Sequence, residues 1–277
     1  MKNILVTTDF SDNCQKAAQL AIKMAVLYKA EIHFLHQLHT PIDWVKLNKT
    51  DEHNYPEILK KIGTAKNRLR ELDKEAEKKG LVSRTFLEFI SDNNAIITHT
   101  HEFQHDFIVT GSRGTKKGLL NEILGSNVQN IIRKAHVPIL VVKDEQVAFP
   151  FKNIVFVSDF NLDEVNAFER VLNLAKKINA KIHLLHINTD SISNNINNGL
   201  QSIKKFVKQF PKLENFEMHI YNSRTVLGGI ENFEDLNDVD LIAMNSHMRE
   251  GVFSVFSKSI AENVTNHSKK PIIITHL

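Results

Sequence analysis

Short apolar runs alternate along this chain with longer segments in which apolar residues recur every three or four positions. The short runs are typical of strands buried on both faces, and the longer period is typical of helices that pack by one face. This alternation predicts a parallel sheet covered by helices on both faces. In the first half the predicted strands are 4–8, 32–38, 82–89, 107–110 and 139–142, and the predicted helices are 12–28, 58–79, 92–103 and a fourth that begins at Ser126.

The pattern then restarts, because the second half repeats segments of the first half. The matching segments are ILVTTDF at 4–10 with IVFVSDF at 154–160, AEIHFLH at 30–36 with AKIHLLH at 180–186, DFIV at 106–109 with DLIA at 240–243, and VPIL at 137–140 with KPII at 270–273. The offset falls from 150 residues at the first two pairs to 133 at the last, so the second copy is shorter by 150 − 133 = 17 residues. This repeat predicts two similar domains, 1–147 and 148–277.

Right-handed crossovers leave few orders for five parallel strands, and we expect the order 3-2-1-4-5 in each domain. The expected fold class is α/β, with two tandem doubly wound domains that each contain a five-stranded parallel sheet. In such sheets, ligands bind beyond the carboxyl ends of the strands where the strand order reverses. That point lies between strand one, which ends at Asp9, and strand four, which Gly111 follows.

The residues near this point suit an anionic ligand in the first domain. Glycine lets the backbone come close to a ligand, and unpaired N–H groups at the start of a helix favour negative charge. Gly111, Gly125 and Ser126 supply these features, with Ser126 either as an N-cap or as a hydroxyl donor to a phosphate. Arg113 would offset phosphate charge. Alternatively, the glycines serve only as turn residues.

Two further side chains would complete a nucleotide site. Asp9 could bind Mg²⁺ through water or accept a hydrogen bond from a ribose hydroxyl, and its alternative role is to cap the first helix. Gln37 lies at the end of strand two and would line the side of the crevice that faces the base.

The composition narrows the function classes. The chain has 277 residues, of which 42% are hydrophobic and 24% charged, as in globular proteins. A net charge of +3 without a long basic run gives little support for nucleic acid or an anionic membrane surface as a partner. No apolar segment reaches the ~18 residues of a membrane span, and the N-terminal apolar run is too short for a signal peptide. The single cysteine, Cys14, fits a reducing compartment, so we expect a cytoplasmic protein.

Three segments together resemble the universal stress protein family in its tandem, two-domain form. They are TTDFS at 7–11, the second strand at 30–36, and DFIVTGSRG, GSN and VPILVV within 106–142. The resemblance covers essentially the whole chain. It implies that the protein binds an adenine nucleotide, ATP with or without Mg²⁺, and serves stress-linked regulation.

Nucleotide-binding members of that family carry Gly-x-x-Gly, then nine residues, then Gly-Ser or Gly-Thr. This chain has the same motif, except that ten residues, 115–124, separate its two parts. One extra residue adds up to about 3.4 Å of chain. Either the loop accommodates this length as a bulge, or the extra length disrupts the phosphate-binding loop. The resemblance also implies adenosine contacts near the end of strand one and at the end of strand two. The candidate site residues are therefore Thr7, Asp9, Gln37, Gly111, Arg113, Gly114, Gly125, Ser126 and Asn127.

The second copy departs from this motif. Asn245, Met248 and Lys258 stand at the three glycine positions, although Ser259 and Asp159 persist. Side chains there would occupy space that a phosphate needs, and positive φ becomes costly. We therefore expect the second domain to bind no nucleotide and to act as a packing partner.

The histidines are weighed as metal ligands. His101 and His105 form an H-E-x-x-H pattern, but the helix is expected to end near His105 and no third ligand has the usual spacing. We therefore predict no metal site, and His99 is interpreted as part of a solvated helix end. Four strand histidines are interpreted as hydrogen-bonded residues in or beside the core. They are His33, His36, His183 and His186.

Three function hypotheses follow from the sequence. The leading one is a stress-response regulatory protein that binds ATP in its first domain only. The alternative is a nucleotide-independent interaction module, and a slow ATPase ranks last because no residue stands out as a water-positioning base. The open edge at strand five predicts an intrachain pseudo-dimer of the two domains, with a homodimer as a further arrangement.

Overall fold

The alternation of strands and helices predicted from the sequence is confirmed. The computed structural model describes residues 1–90, 95–112, 124–143, 147–189, 195–246 and 258–276. The strands of the first repeat are β1 (Asn3–Thr8), β2 (Glu31–His39), β3 (Ser83–Ile90), β4 (Phe107–Gly111) and β5 (Ile139–Val142). Its helices are α1 (Asp12–Tyr28), α2 (Pro56–Glu77), α3 (Ala95–Glu102) and α4 (Ser126–Lys134).

The second repeat has the same order of elements. Its strands are β6 (Asn153–Val157), β7 (Lys181–Asn188), β8 (Phe216–Asn222), β9 (Leu241–Ser246) and β10 (Ile272–His276). Its helices are α5 (Val165–Ile178), α6 (Asn195–Val207), α7 (Val226–Glu234) and α8 (Lys258–His267). No helix among the described residues is long and apolar enough to cross a membrane.

The chain divides into two compact units, Met1–Leu119 with Gly125–Val137, and Leu120–Leu124 with Pro138–Leu277. In the first unit, β1 pairs in parallel with β2 and β4, and β2 pairs in parallel with β3. In the second unit, β6 pairs in parallel with β7 and β9, β7 with β8, and β9 with β10. The order 3-2-1-4-5 predicted for the first repeat is confirmed. Strand β5 belongs to the second unit, where it pairs antiparallel with β10, and the boundary at residue 147 stays a prediction.

Hydrogen bonds at the strand ends repeat along with the strands. The Asp106 carboxylate accepts a bond from the backbone N–H of Lys2 at 2.6 Å, and the Asp240 carboxylate accepts one from Lys152 at 2.7 Å. The N–H of Asp106 donates to the carbonyl of Asn3, just as that of Asp240 donates to Asn153. These bonds fix the structural correspondence, which is 150 residues near β1 and 134 near β4.

The turn after β1 positions the first helix. Phe10 has a positive φ of 64°, which is uncommon for a residue other than glycine, and its N–H donates to the Thr8 hydroxyl at 3.0 Å. Ser11 is the N-cap of α1, and its side chain accepts a bond from the N–H of Cys14. Phe160 repeats the conformation with a φ of 59°.

Candidate functional site

A cavity of about 140 Å³ lies in the first unit at the carboxyl ends of β1 and β4, beside the first turn of α4. Seven of the nine candidate residues line it: Thr7, Asp9, Gln37, Gly111, Gly125, Ser126 and Asn127. Arg113 and Gly114 lie outside the described residues. Residues separated by more than a hundred positions in the sequence therefore meet at the predicted reversal of strand order.

The floor of the cavity is formed where β1 and β4 run side by side. Thr7 is the register partner of Thr110, and its hydroxyl donates to that of Thr110 at 2.8 Å. This bond satisfies two buried hydroxyl groups and joins the two strand ends.

Gly111 is required by the packing of α1 against β4. A Cβ atom at this position would lie 2.7 Å from the backbone nitrogen of Cys14 and 2.8 Å from the carbonyl carbon of Asn13. Both contacts are with backbone atoms, which cannot rotate away. The sequence hypothesis explained this glycine by the approach of a ligand, but the packing of α1 is sufficient to explain it.

The start of α4 forms the side of the cavity that suits an anion. The helix begins at Ser126, and Gly125 is its N-cap with φ −58° and ψ 146°. The expectation that Ser126 is itself the N-cap is therefore wrong, because the glycine before it already takes that position. Glycine has no side chain, so it cannot cap the first N–H groups of the helix, which lie at the positive end of the helix dipole.

Asp9 lies at the end of β1 and organises the loop that follows. Its Oδ1 accepts a bond from the N–H of Ser11 at 3.0 Å, and Ser11 in turn caps α1. The alternative role for Asp9 as the cap is thus taken by Ser11. Asp9 is half-buried and lines the same cavity as Gly125.

Gln37 presents a buried donor at the cavity. Its Oε1 accepts a bond from the Asn127 side chain at 3.4 Å, whereas its Nε2 is buried without a hydrogen-bond partner among the described residues. An unpaired buried donor costs about 1–3 kcal/mol. A ligand with an acceptor at this position would remove that cost.

Cys14 also lines the cavity, and its thiol is expected to be unreactive. Burial, and after it the negative charge of Asp9, raises the pKa of the Cys14 thiol to about 11. At pH 8 about one molecule in a thousand would carry the reactive thiolate. We expect native protein to react with a thiol reagent at least about 100-fold more slowly than urea-unfolded protein. Absorbance of released nitrothiobenzoate measures this directly because the chain has one cysteine, and rapid reaction of native protein would contradict it.

In the second repeat, the position that corresponds to Cys14 is occupied by a glutamate. Glu164 stands 150 residues after Cys14 and is fully buried. Its Oε2 accepts hydrogen bonds from the Ser158 hydroxyl and, at 2.7 Å, from the Asn245 side chain. The Thr275 hydroxyl donates to the Oδ1 atom of the same Asn245 side chain. Glu164 belongs to no sequence motif, so no local pattern predicts its role.

The altered motif of the second copy lies only partly within the described residues. Met248 lies outside them, so Asn245 and Glu164 represent the altered site in the structure.

The expectation that His99 lies at a solvated helix end is wrong, because its side chain is 2% exposed. Its ring packs against Phe86 and Phe103, with centroids 4.5 Å and 4.4 Å away.

Known proteins resemble the chain along its whole length. The model of the universal stress protein family matches residues 1–143 and again residues 150–276. A universal stress protein of Methanocaldococcus jannaschii is 32% identical over 143 residues, which cover 51% of this chain and 82% of that protein. A second one from that organism is 29% identical over 154 residues, covering 51% and 94%. The crystal structure of a universal stress protein from Archaeoglobus fulgidus shares the fold over 99% of this chain and 98% of that chain, with a TM-score of 0.75 and 20% identity.

Proposed function

This chain belongs to the universal stress protein family, and from that premise we propose that its first domain binds an adenine nucleotide, ATP, in the service of stress-linked regulation. The observation that carries the proposal is one cavity that both Asp9 and the first turn of α4 line. A carboxylate and a positive helix end in one cavity suit the ribose and the phosphates of one ligand.

The phosphate side rests on the helix dipole and on backbone N–H groups. Hydrogen bonds to a charged group contribute roughly 1.5–3 kcal/mol each, so three or four approach the ~8 kcal/mol of a micromolar site. The base side rests on Gln37, whose buried Nε2 would donate to a ring nitrogen. The cavity is smaller than the roughly 300–1,000 Å³ of typical small-molecule sites, so we expect part of the ligand to lie outside it.

A second nucleotide is not expected, because Glu164 already supplies an acceptor to Ser158 and Asn245. A phosphate brought to this place would compete with the Glu164 carboxylate for the same two donors. We therefore propose one nucleotide per chain. Two equivalents per chain would contradict this assignment.

Calorimetric titration of nucleotide-stripped protein with ATP, with and without Mg²⁺, tests the proposal. We expect one equivalent to bind with micromolar affinity, and Gly125→Val to remove binding because its side chain would enter the phosphate side. Asp9→Asn should weaken binding about tenfold, through loss of one charge-assisted hydrogen bond.

The repeat provides a matched control for the second variant. Asp159 stands 150 residues after Asp9, so Asp159→Asn makes the same chemical change in the second domain and should leave the affinity unchanged. Unaltered affinity in folded Gly125→Val protein would disprove the site. If no ATP binds, the remaining hypothesis is that the chain is a nucleotide-independent interaction module.

A further inference from the structure

We propose that His33, His99 and His105 form a binding site for one divalent transition-metal ion, with Zn²⁺ as the ion that the donor set fits best. The site lies in the first unit, is separate from the ATP cavity and does not depend on the proposed nucleotide function. It lies between β2, the end of α3 and the two residues before β4, His105 and Asp106.

The three rings are close together and almost completely buried. One ring nitrogen from each histidine lies within 4.8 Å of the others, and His33 Nδ1 is 2.8 Å from His105 Nε2. The three side chains are 3%, 2% and 3% exposed. Tetrahedral zinc with bonds of about 2.0–2.1 Å holds its nitrogens about 3.3 Å apart, so changes of about 0.5–1.5 Å would suffice.

Carboxylates orient two of the rings. His33 Nε2 lies 2.8 Å from the Glu31 carboxylate, and His99 Nδ1 lies 2.7 Å from that of Glu88. An ionised carboxylate only accepts, so these nitrogens carry the protons and the opposite nitrogens keep lone pairs. His105 Nε2 then donates to His33 Nδ1, and its proton would move to His105 Nδ1 when Nε2 binds a metal ion. Carboxylate–histidine–metal chains are the usual support of zinc ligands, and two carboxylates offset the charge of a divalent ion.

Without a metal ion, the cluster leaves polar atoms unsatisfied. His99 Nε2 has no hydrogen-bond partner among the described residues, although it is buried. An unpaired buried acceptor costs about 1–3 kcal/mol, and a metal ion at this place would remove the cost.

The second repeat shows that the fold does not need these imidazoles. His33 corresponds to His183, but His99 corresponds to Phe233 and His105 to Val239, by the offsets that Asp106 and Asp240 fix. Phe233 and Val239 are buried as well. Hydrocarbon side chains thus fill the same positions in an equivalent domain, so packing alone does not explain three histidines in the first.

A rival site lies in the second unit, where His183, Glu217 and His219 also approach one another. It is less suited to a metal ion, because the side chain of Glu217 is 50% exposed and that of His219 is 20% exposed. Only one histidine of the H-E-x-x-H pattern, His105, belongs to the proposed site. His101 instead stacks on His136 with ring centroids 3.7 Å apart.

Titration of the nucleotide-free full chain with Co²⁺, followed by Zn²⁺, tests the proposal. We expect one Co²⁺ per chain to produce the intense visible absorption of a tetrahedral site, and Zn²⁺ to abolish it by displacement. His99→Phe and His105→Val introduce the residues of the second repeat, so both should fold. Each substitution should weaken Co²⁺ binding more than about 100-fold. Loss of a residue that only hydrogen-bonds to a metal ligand has a smaller effect, about 10–100-fold.

His219→Ala is the matched control and should leave the Co²⁺ spectrum unchanged. Loss of the spectrum in this variant would assign the metal to the rival site and overturn the proposal. An unchanged spectrum in folded His99→Phe protein, or no binding of Co²⁺ or Zn²⁺ at micromolar concentration, would do the same. If His99→Phe does not fold, His99→Gln replaces it. ATP titration of the same variants separates this outcome from a failure of the nucleotide site.

Discussion

Gly111→Ala lowers the free energy of unfolding of the first unit by about 1–3 kcal/mol or more, as overpacking typically does. The new Cβ would lie 2.7 Å from a backbone atom of Cys14 and 2.8 Å from one of Asn13, so α1 must move away from β4. Urea unfolding followed by tryptophan fluorescence measures the effect. The only tryptophan, Trp44, is buried in the first unit and reports on that unit alone.

Gly63→Ala is the matched control, because it adds the same methyl group to the same unit. Nothing lies within 4 Å of a Cβ at Gly63, which sits inside α2. Alanine is the better helix former there, so we expect stability to rise by about 0.5–1 kcal/mol. Equal stability of Gly111→Ala and wild-type protein would show that α1 does not pack against β4 as described.

Glu164→Ala destabilises the second unit by about 3 kcal/mol or more, because two buried donors lose their acceptor and a cavity remains. The donors are the Ser158 hydroxyl and the Asn245 side-chain amide. Far-ultraviolet circular dichroism follows the whole chain during urea unfolding. We expect a second, earlier transition there, with the fluorescence transition of Trp44 unchanged.

Asp163→Ala controls for the loss of one negative charge at the neighbouring position. Asp163 is exposed, and surface substitutions usually change stability by less than about 0.5 kcal/mol. Wild-type stability of Glu164→Ala protein would show that the carboxylate does not satisfy these donors. A shift confined to tryptophan fluorescence would place the effect in the wrong unit.

The elements and their order could be predicted from the sequence because they depend on local patterns. Strand β5 was predicted at 139–142 and lies at Ile139–Val142, since a short apolar run bounded by polar residues has few other structures. Helix α1 was predicted to end at Tyr28 and does so. The meeting of Asp9 with Gly125 followed from the expected strand order, which is itself a consequence of crossover handedness.

The role of Glu164 was not predicted and the burial of His99 was predicted wrongly. The first of these depends on contacts between residues that are distant in the sequence. Glu164 gains its role from Ser158 and Asn245, and no local pattern marks a glutamate that will be buried against them. For His99 a signal existed: Ile96, His99 and Thr100 follow the spacing of one helix face, and all three are buried.

The exchange of Cys14 for Glu164 between the two repeats has a thermodynamic consequence. A dissolved ligand that binds only the native state stabilises it in proportion to the logarithm of its concentration, about 2.7 kcal/mol at a hundredfold excess over Kd. Glu164 is tethered to its own binding groups, so its stabilising effect is independent of any solute. Under the proposed function, the stability of the first half against unfolding would therefore vary with the nucleotide concentration, while that of the second half would not.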